Sequence, residues 1–204
     1  MTDLGIKRVI CVSRGIQRFL AEHAGISDAW IIPNAISAPK KLAAKQLAVA
    51  AMPRKRREEV AMIRHLVGLM RPDLAAVPWV EIDAMTHEPI MEILATSAVF
   101  LSLQRFEGFG LPAIEAMAAG CLVAGFPGVA ISDYAQPNNG WRAPDDDIEA
   151  AARAVCTALT AARDGTPSAL ARIEAGRVLA QSYSLPVRDA ALLEFFESFL
   201  ATAS

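Results

Sequence analysis

Cysteine is scarce in this chain: Cys11, Cys121 and Cys156 are the three in 204 residues. Each lies in an apolar run, and three thiols cannot make a disulfide framework. They read as small core residues in a reducing compartment. Long uncharged apolar runs are also missing, so nothing approaches a membrane span. Residues 1–8 carry one acid and two bases with no apolar stretch behind them, which is not a signal-peptide pattern. The expectation is a soluble, cytoplasmic protein. G-x-G-x-x-G after a strand and G-x-x-x-x-G-K-[ST] are both absent, which removes the usual dinucleotide and P-loop readings. No Cys/His cluster suggests zinc, so no metal site is expected. A net charge of −2 gives no general attraction to nucleic acid or anionic membrane.

What is present is apolar surface, 53% of the residues with alanine abundant, which favours helices packed closely on a sheet. Strand-like runs occur at 8–12, 30–32, 46–51, 77–82, 99–101 and 121–125. Between them the spacing predicts helices. The first starts after Ser13 as N-cap and stops at Gly25; others span 58–70, 87–96 and the stretch from Pro112 to Gly120. Val60, Ile63, Val67 and Met70 form the buried stripe of the second, and Ile90, Ile93 and Leu94 that of the third. Asp145, Asp146 and Asp147 read as N-cap and first-turn acids of a helix over 148–159, not as metal ligands. Two more helices follow at 168–182 and 186–201, and the last has a broad apolar face that must pack on something. Alternation of this kind predicts an α/β fold with a Rossmann-like, doubly wound parallel sheet and extra C-terminal helices.

The stretch 98–128, AVFLSLQRFEGFGLPAIEAMAAGCLVAGFPG, organises the rest. It reads as strand, glycine loop, short helix, strand. In open α/β sheets the loop at a strand's carboxyl end is where ligands bind. Glu115 lies early in a helix of Ala, Ile and Met, where an ionised carboxylate is costly unless something hydrogen-bonds it. Its two acceptor oxygens suit a ribose diol. The N–H groups at Gly110 and Leu111, with the positive end of the helix dipole, suit a phosphate. The plainer alternative is that Glu115 pairs with an Arg elsewhere and Glu107 is a solvated loop acid. His23, His65 and His87 have no partner acids at relay or metal-ligand spacing and read as surface or capping residues.

E-G-F-G-L-P-x-x-E, with Glu107 and Glu115 flanking seven residues and A-M-A-x-G following, resembles the E-x7-E signature of retaining glycosyltransferases with the GT-B fold. The run V-I-C-V-S … I-I-P-N-A-I resembles the last βα unit of the N-terminal domain of those enzymes, with Ala35 in place of the usual glycine. The resemblance implies that 1–38 is a remnant of that domain with the hinge. Residues 39–185 would then be the nucleotide-sugar-binding domain, and 186–204 the helix that crosses back. It implies a nucleotide diphosphate sugar as donor substrate, an unidentified acceptor, no cofactor and no metal. Most of the acceptor-binding domain is not in these residues, so a separate N-terminal domain or second chain is an expected partner. By the same resemblance, Arg54 and Lys55 contact the diphosphate, with Arg57 in reserve. Glu107 holds the sugar, Glu115 the ribose, and Gly108, Phe109, Gly110 and Leu111 form the donor loop. The base pocket falls around Ile82 to Met85, and Asp133 stands where the family has a Glu. The alternative function is a non-catalytic module that binds a nucleotide sugar or a partner chain.

Overall fold

The structure, a computed structural model, describes residues 8–39, 43–54, 56–105, 108–128 and 133–201. A small unit comes first. Strand β1 (Ile10–Cys11) pairs in parallel with β2 (Trp30–Ile31), and helix α1 (Arg14–Ala24) connects them. Ser13 caps α1 by accepting the Ile16 N–H at 3.2 Å, and Gly25 closes it in the left-handed region.

The main sheet has five parallel strands in the order β4-β3-β5-β6-β7: Trp79–Glu81, Gln46–Ala51, Ser97–Leu103, Leu122–Phe126 and Gly140–Arg142. Its helices are α2 (Arg57–Met70), α3 (His87–Thr96), α4 (Leu111–Ala118) and α5 (Ile148–Arg163), followed by α6 (Pro167–Gln181) and α7 (Leu185–Ala201). The period of two in the strands decides which helix goes where. Val49, Ala51, Val99, Leu101, Leu103, Leu122, Ala124 and Phe126 face one side and form a core with Val60, Ile63 and Val67 of α2 and Val155 and Leu159 of α5. Ala50, Phe100 and Val123 face the other and pack with Leu94 of α3 and Ala113, Ile114 and Met117 of α4. Both faces are covered, as an all-parallel sheet requires. This is the doubly wound fold the alternation predicts.

Local differences from the sequence expectations have physical reasons. Asn139-Gly140 has turn chemistry, and the Asn139 N–H closes a turn on the Gln136 carbonyl at 3.1 Å; Gly140 then opens the edge strand β7, where a side chain would meet the Val123 carbonyl. The buried stripe of α3 is Met91 and Leu94, with Ile90 and Ile93 half-buried, since the helix lies against both the sheet and α4. Of the three consecutive aspartates only Asp147 is the N-cap, accepting the Ala150 N–H at 2.8 Å. Asp145 instead accepts the Gly128 N–H at 3.0 Å, and Asp146, at φ 65°, turns back toward the loops after β3 and β5.

The last helix carries Phe195 back onto the first unit, where its ring meets Trp30 edge-on at 5.8 Å. Ile36 joins the two ends of the chain by donating to the Tyr183 carbonyl at 2.8 Å. Leu193, Phe196 and Leu200 of α7 remain exposed, as does Phe19 of α1.

Candidate functional site

The chain runs from β3 to β4 on one side of β3, then returns to its other side as β5. The strand order therefore reverses between β3 and β5, and the loops after their carboxyl ends diverge to leave a crevice. A cavity of about 510 Å³ opens there, lined by Met52, Pro53 and Arg54 after β3, by Gln104 and Arg105 after β5, and by Pro112 of α4.

Gly110 sets the shape of the β5–α4 loop. It is the N-cap of α4 with φ 80°, a left-handed conformation that glycine reaches without the penalty a Cβ brings. Its carbonyl accepts from the Tyr134 hydroxyl at 2.7 Å and from the Gln104 amide at 2.9 Å. Tyr134 is fully buried and also donates to the Phe109 carbonyl at 2.9 Å. Phe109 itself points into the core, edge-on to Tyr183 at 5.4 Å. It offers backbone to the site while its ring anchors the loop. Gly108 is exposed, and Leu111 begins α4, whose first turn borders the crevice at Pro112.

The basic run at 54–57 separates by position. Arg54, at φ 42°, is exposed and lines the cavity. Arg56 also lines the cavity but is only 13% exposed and braced on every side. It donates to the Leu103 carbonyl at 3.2 Å and to Asp146 at 2.7 Å, pairs with Glu59, and lies over the Phe126 ring. Arg57 turns outward to Asp83 at 2.5 Å and Glu81 at 3.5 Å, away from the cavity. Lys55 and Glu107 lie outside the described residues.

Glu115 is on α4, three residues beyond Pro112, with its side chain only 12% exposed. Among the described residues no arginine holds it. His87, the first residue of α3, brings Nε2 to 3.1 Å from its Oε1. The expectation that His87 lacks an acidic partner is thus corrected: it lies at the surface, but the partner comes from 28 residues away through the packing of α3 on α4. Sequence reasoning also missed Arg105 and Gln104. The signal available was position, since polar residues at the carboxyl end of a central parallel strand belong to the crevice. Arg105 pairs with Asp146 at 2.7 Å. Gln104 is 6% exposed, and its amide oxygen finds no partner among the described residues.

Among the described residues no group of three or more His, Cys, Asp or Glu side chains is placed to hold a metal ion. Nor is any helix among them long and apolar enough to cross a membrane.

A doubly wound parallel sheet with a crevice at its switch point is a ligand-binding α/β domain, and comparison with known proteins gives its family. The profile of the family described as Glycosyl transferases group 1 matches residues 32–161, well over half of the chain. The chain belongs to that family. An alpha-1,6-glucosyltransferase of Actinobacillus pleuropneumoniae serotype 7 (strain AP76) is 32% identical over 80 residues, covering 39% of this chain and 24% of that protein. Among solved structures, a glycosyltransferase from Rickettsia africae superposes with a TM-score of 0.74 at 18% identity, covering 95% of this chain and 64% of the other. TarM from S. aureus, solved with fondaparinux, alpha-GlcNAc-glycerol and UDP, gives 0.73 at 17% identity, covering 95% and 44%. The chain therefore spans a quarter to about two thirds of the length of these relatives.

Proposed function

We propose that this chain is the donor-binding part of a retaining glycosyltransferase, which moves a sugar, of hexosyl type, from a nucleotide diphosphate sugar to an acceptor. The observation that carries this reading is the crevice between β3 and β5. Its walls carry the Arg54 and Arg105 side chains and Pro112 of the first turn of α4, and a shielded carboxylate, Glu115, stands one turn further along that helix, outside the cavity lining. Family membership supports the transferase class, and the UDP in the TarM structure supports a nucleotide-bearing donor.

The chemistry follows from where charge grows. Breaking the bond between the anomeric carbon and the phosphate oxygen leaves negative charge on the distal phosphate. Donors already aimed at that position stabilise it without reorganising. Arg54, Arg105 and the first N–H groups of α4 supply them, with no step routed through a metal. Glu115 accepts from the ribose hydroxyls. Glu107, by its place in the motif, is assigned the sugar hydroxyls. The acceptor hydroxyl bonds the anomeric carbon from the face the leaving group departs and gives its proton to the departing phosphate oxygen, so configuration is kept without a covalent intermediate.

The acceptor site is assigned to residues beyond the five-stranded domain, and the protein to the cytoplasm. The test is calorimetric titration with UDP, GDP, ADP and their sugar conjugates, followed by a transfer assay with and without a supplied N-terminal domain. Binding by the chain alone, with turnover restored by the added domain, is the expected outcome. Glu115→Ala weakens free nucleotide and nucleotide sugar alike; Arg54→Ala weakens diphosphates more than monophosphates. Failure to bind any nucleoside diphosphate, or unchanged binding in Glu115→Ala, refutes the proposal.

A further inference from the structure

Glu115 stands in the second turn of α4 with one oxygen already engaged: His87 Nε2 lies 3.1 Å from Oε1. An ionised carboxylate only accepts hydrogen bonds, so the imidazole must be the donor, through its Nε2–H. No other hydrogen bond to this carboxylate occurs among the described residues, so none of them engages Oε2. His87 is itself fixed at the start of α3, which packs on both α4 and β5.

We propose that His87 is a positioning residue. It pins Oε1 of Glu115 and so aims Oε2 at the ribose hydroxyls of the donor. This rests on the reading of Glu115 given above. A glutamate has three side-chain torsions, and ordering them on ligand binding costs up to about 2 kcal/mol. Ordering them beforehand removes part of that penalty, which is how preorganisation raises affinity. The choice of histidine follows from geometry. Its single N–H in this direction engages one oxygen, whereas an arginine fork engages both and competes with a ligand at each. The bond joins residues of different helices, so the carboxylate is referenced to the α3–α4 interface and not to its own helix alone.

The test uses the tightest binder among UDP, GDP and ADP, and its 2′,3′-dideoxy analogue, titrated calorimetrically into the wild-type chain, His87→Phe and His87→Gln. Wild type binds the ribose form more tightly than the dideoxy form. His87→Phe weakens the ribose form about five-fold, the equivalent of one net hydrogen bond, and leaves the dideoxy form unchanged. His87→Gln, whose amide N–H can donate to the same oxygen, recovers most of the ribose-form affinity. Equal weakening of both nucleotides in His87→Phe means a merely structural role and overturns the proposal. So does an unchanged ribose form, or a glutamine variant no better than phenylalanine. If wild type itself fails to distinguish the two nucleotides, the assignment of Glu115 to the ribose falls as well, and the wild-type titration alone reveals it.

Discussion

Replacing Gly110 by alanine tests the loop on which the site depends. Two penalties add. Gly110 has φ 80°, and holding an L-residue in the left-handed region costs about 1–2 kcal/mol. The new Cβ also overlaps the Gln104 amide oxygen and lies 2.6 Å from Cδ. The Gln104 side chain ends there and can swing into the adjoining cavity, so the backbone need not break. Swinging forfeits the 2.9 Å hydrogen bond to the Gly110 carbonyl, worth about 1 kcal/mol net. The expected loss is about 2–3 kcal/mol in urea unfolding, with the slope unchanged. In a Gln104→Ala background the clash and the hydrogen bond are already gone, so Gly110→Ala costs only the strain. A coupling of about 1 kcal/mol follows from the double-mutant cycle. A displaced Gln104 also narrows the crevice, so Gly110→Ala weakens nucleoside diphosphate binding more than its stability loss accounts for. A loss well under 1 kcal/mol, or the same loss in both backgrounds, refutes the argument that Gly110 is required by its conformation and by Gln104.

Asp73→Asn removes the charge, and one of the two acceptor oxygens, that Arg71 and Arg163 engage; their hydrogen bonds hold the Asp73 carboxyl well below the usual carboxylate range. A depressed folded pKa stabilises the fold above the unfolded value of about 4 and is lost as pH falls below it, so the variant melts lower than wild type at pH ~7 and the gap closes toward pH ~2. The groups are exposed, so the gap also shrinks with added salt. Phe195→Ala empties the contact with Trp30; a loss of about 3 kcal/mol, with amide exchange rising first in β1 and β2, is expected from urea unfolding and hydrogen exchange. Asp146→Asn takes the carboxylate from Arg56 and Arg105, lowering stability by about 1 kcal/mol while raising affinity for inorganic pyrophosphate, measured by calorimetry.

Much of the fold was legible because its signals are local. Ser13 and Asp147 cap helices where short polar side chains precede apolar periodicity, and Gly25 ends one by adopting the left-handed conformation. The loop from Gly108 to Leu111 was legible because a glycine before a proline-containing helix start has few other uses. Pairings between distant elements were not. His87 and Glu115 are 28 residues apart, and nothing in the spacing of either predicts that α3 and α4 bring them together. Phe109 was assigned to the donor loop as a whole, yet its ring belongs to the core. A motif records which residues recur together and not which half of each, backbone or side chain, faces the ligand. The strand β7 was not legible, because three residues behind a turn carry little pattern of their own and pairing with β6 makes them a strand.

The basic run shows most clearly why counting charges misleads. Residues 54, 56 and 57 lie at the point where the chain leaves β3 and enters α2, so successive side chains diverge. Arg57 compensates the acids beside β4, and Arg56 is enclosed by Phe126, Leu103 and Glu59. Asp146 then takes Arg56 on one oxygen and Arg105 on the other, tying the loops after β3 and β5 to the loop that follows β7. The crevice wall is thus cross-braced, and its positive charge is partly offset before any anion arrives. Arg54, Arg56 and Arg105 all line the cavity, and a diphosphate that meets Arg105 exchanges places with Asp146 there. Arg56 contributes by holding the wall. Its removal would therefore lower stability first and affinity only as a consequence, whereas removal of Arg54 would do the reverse.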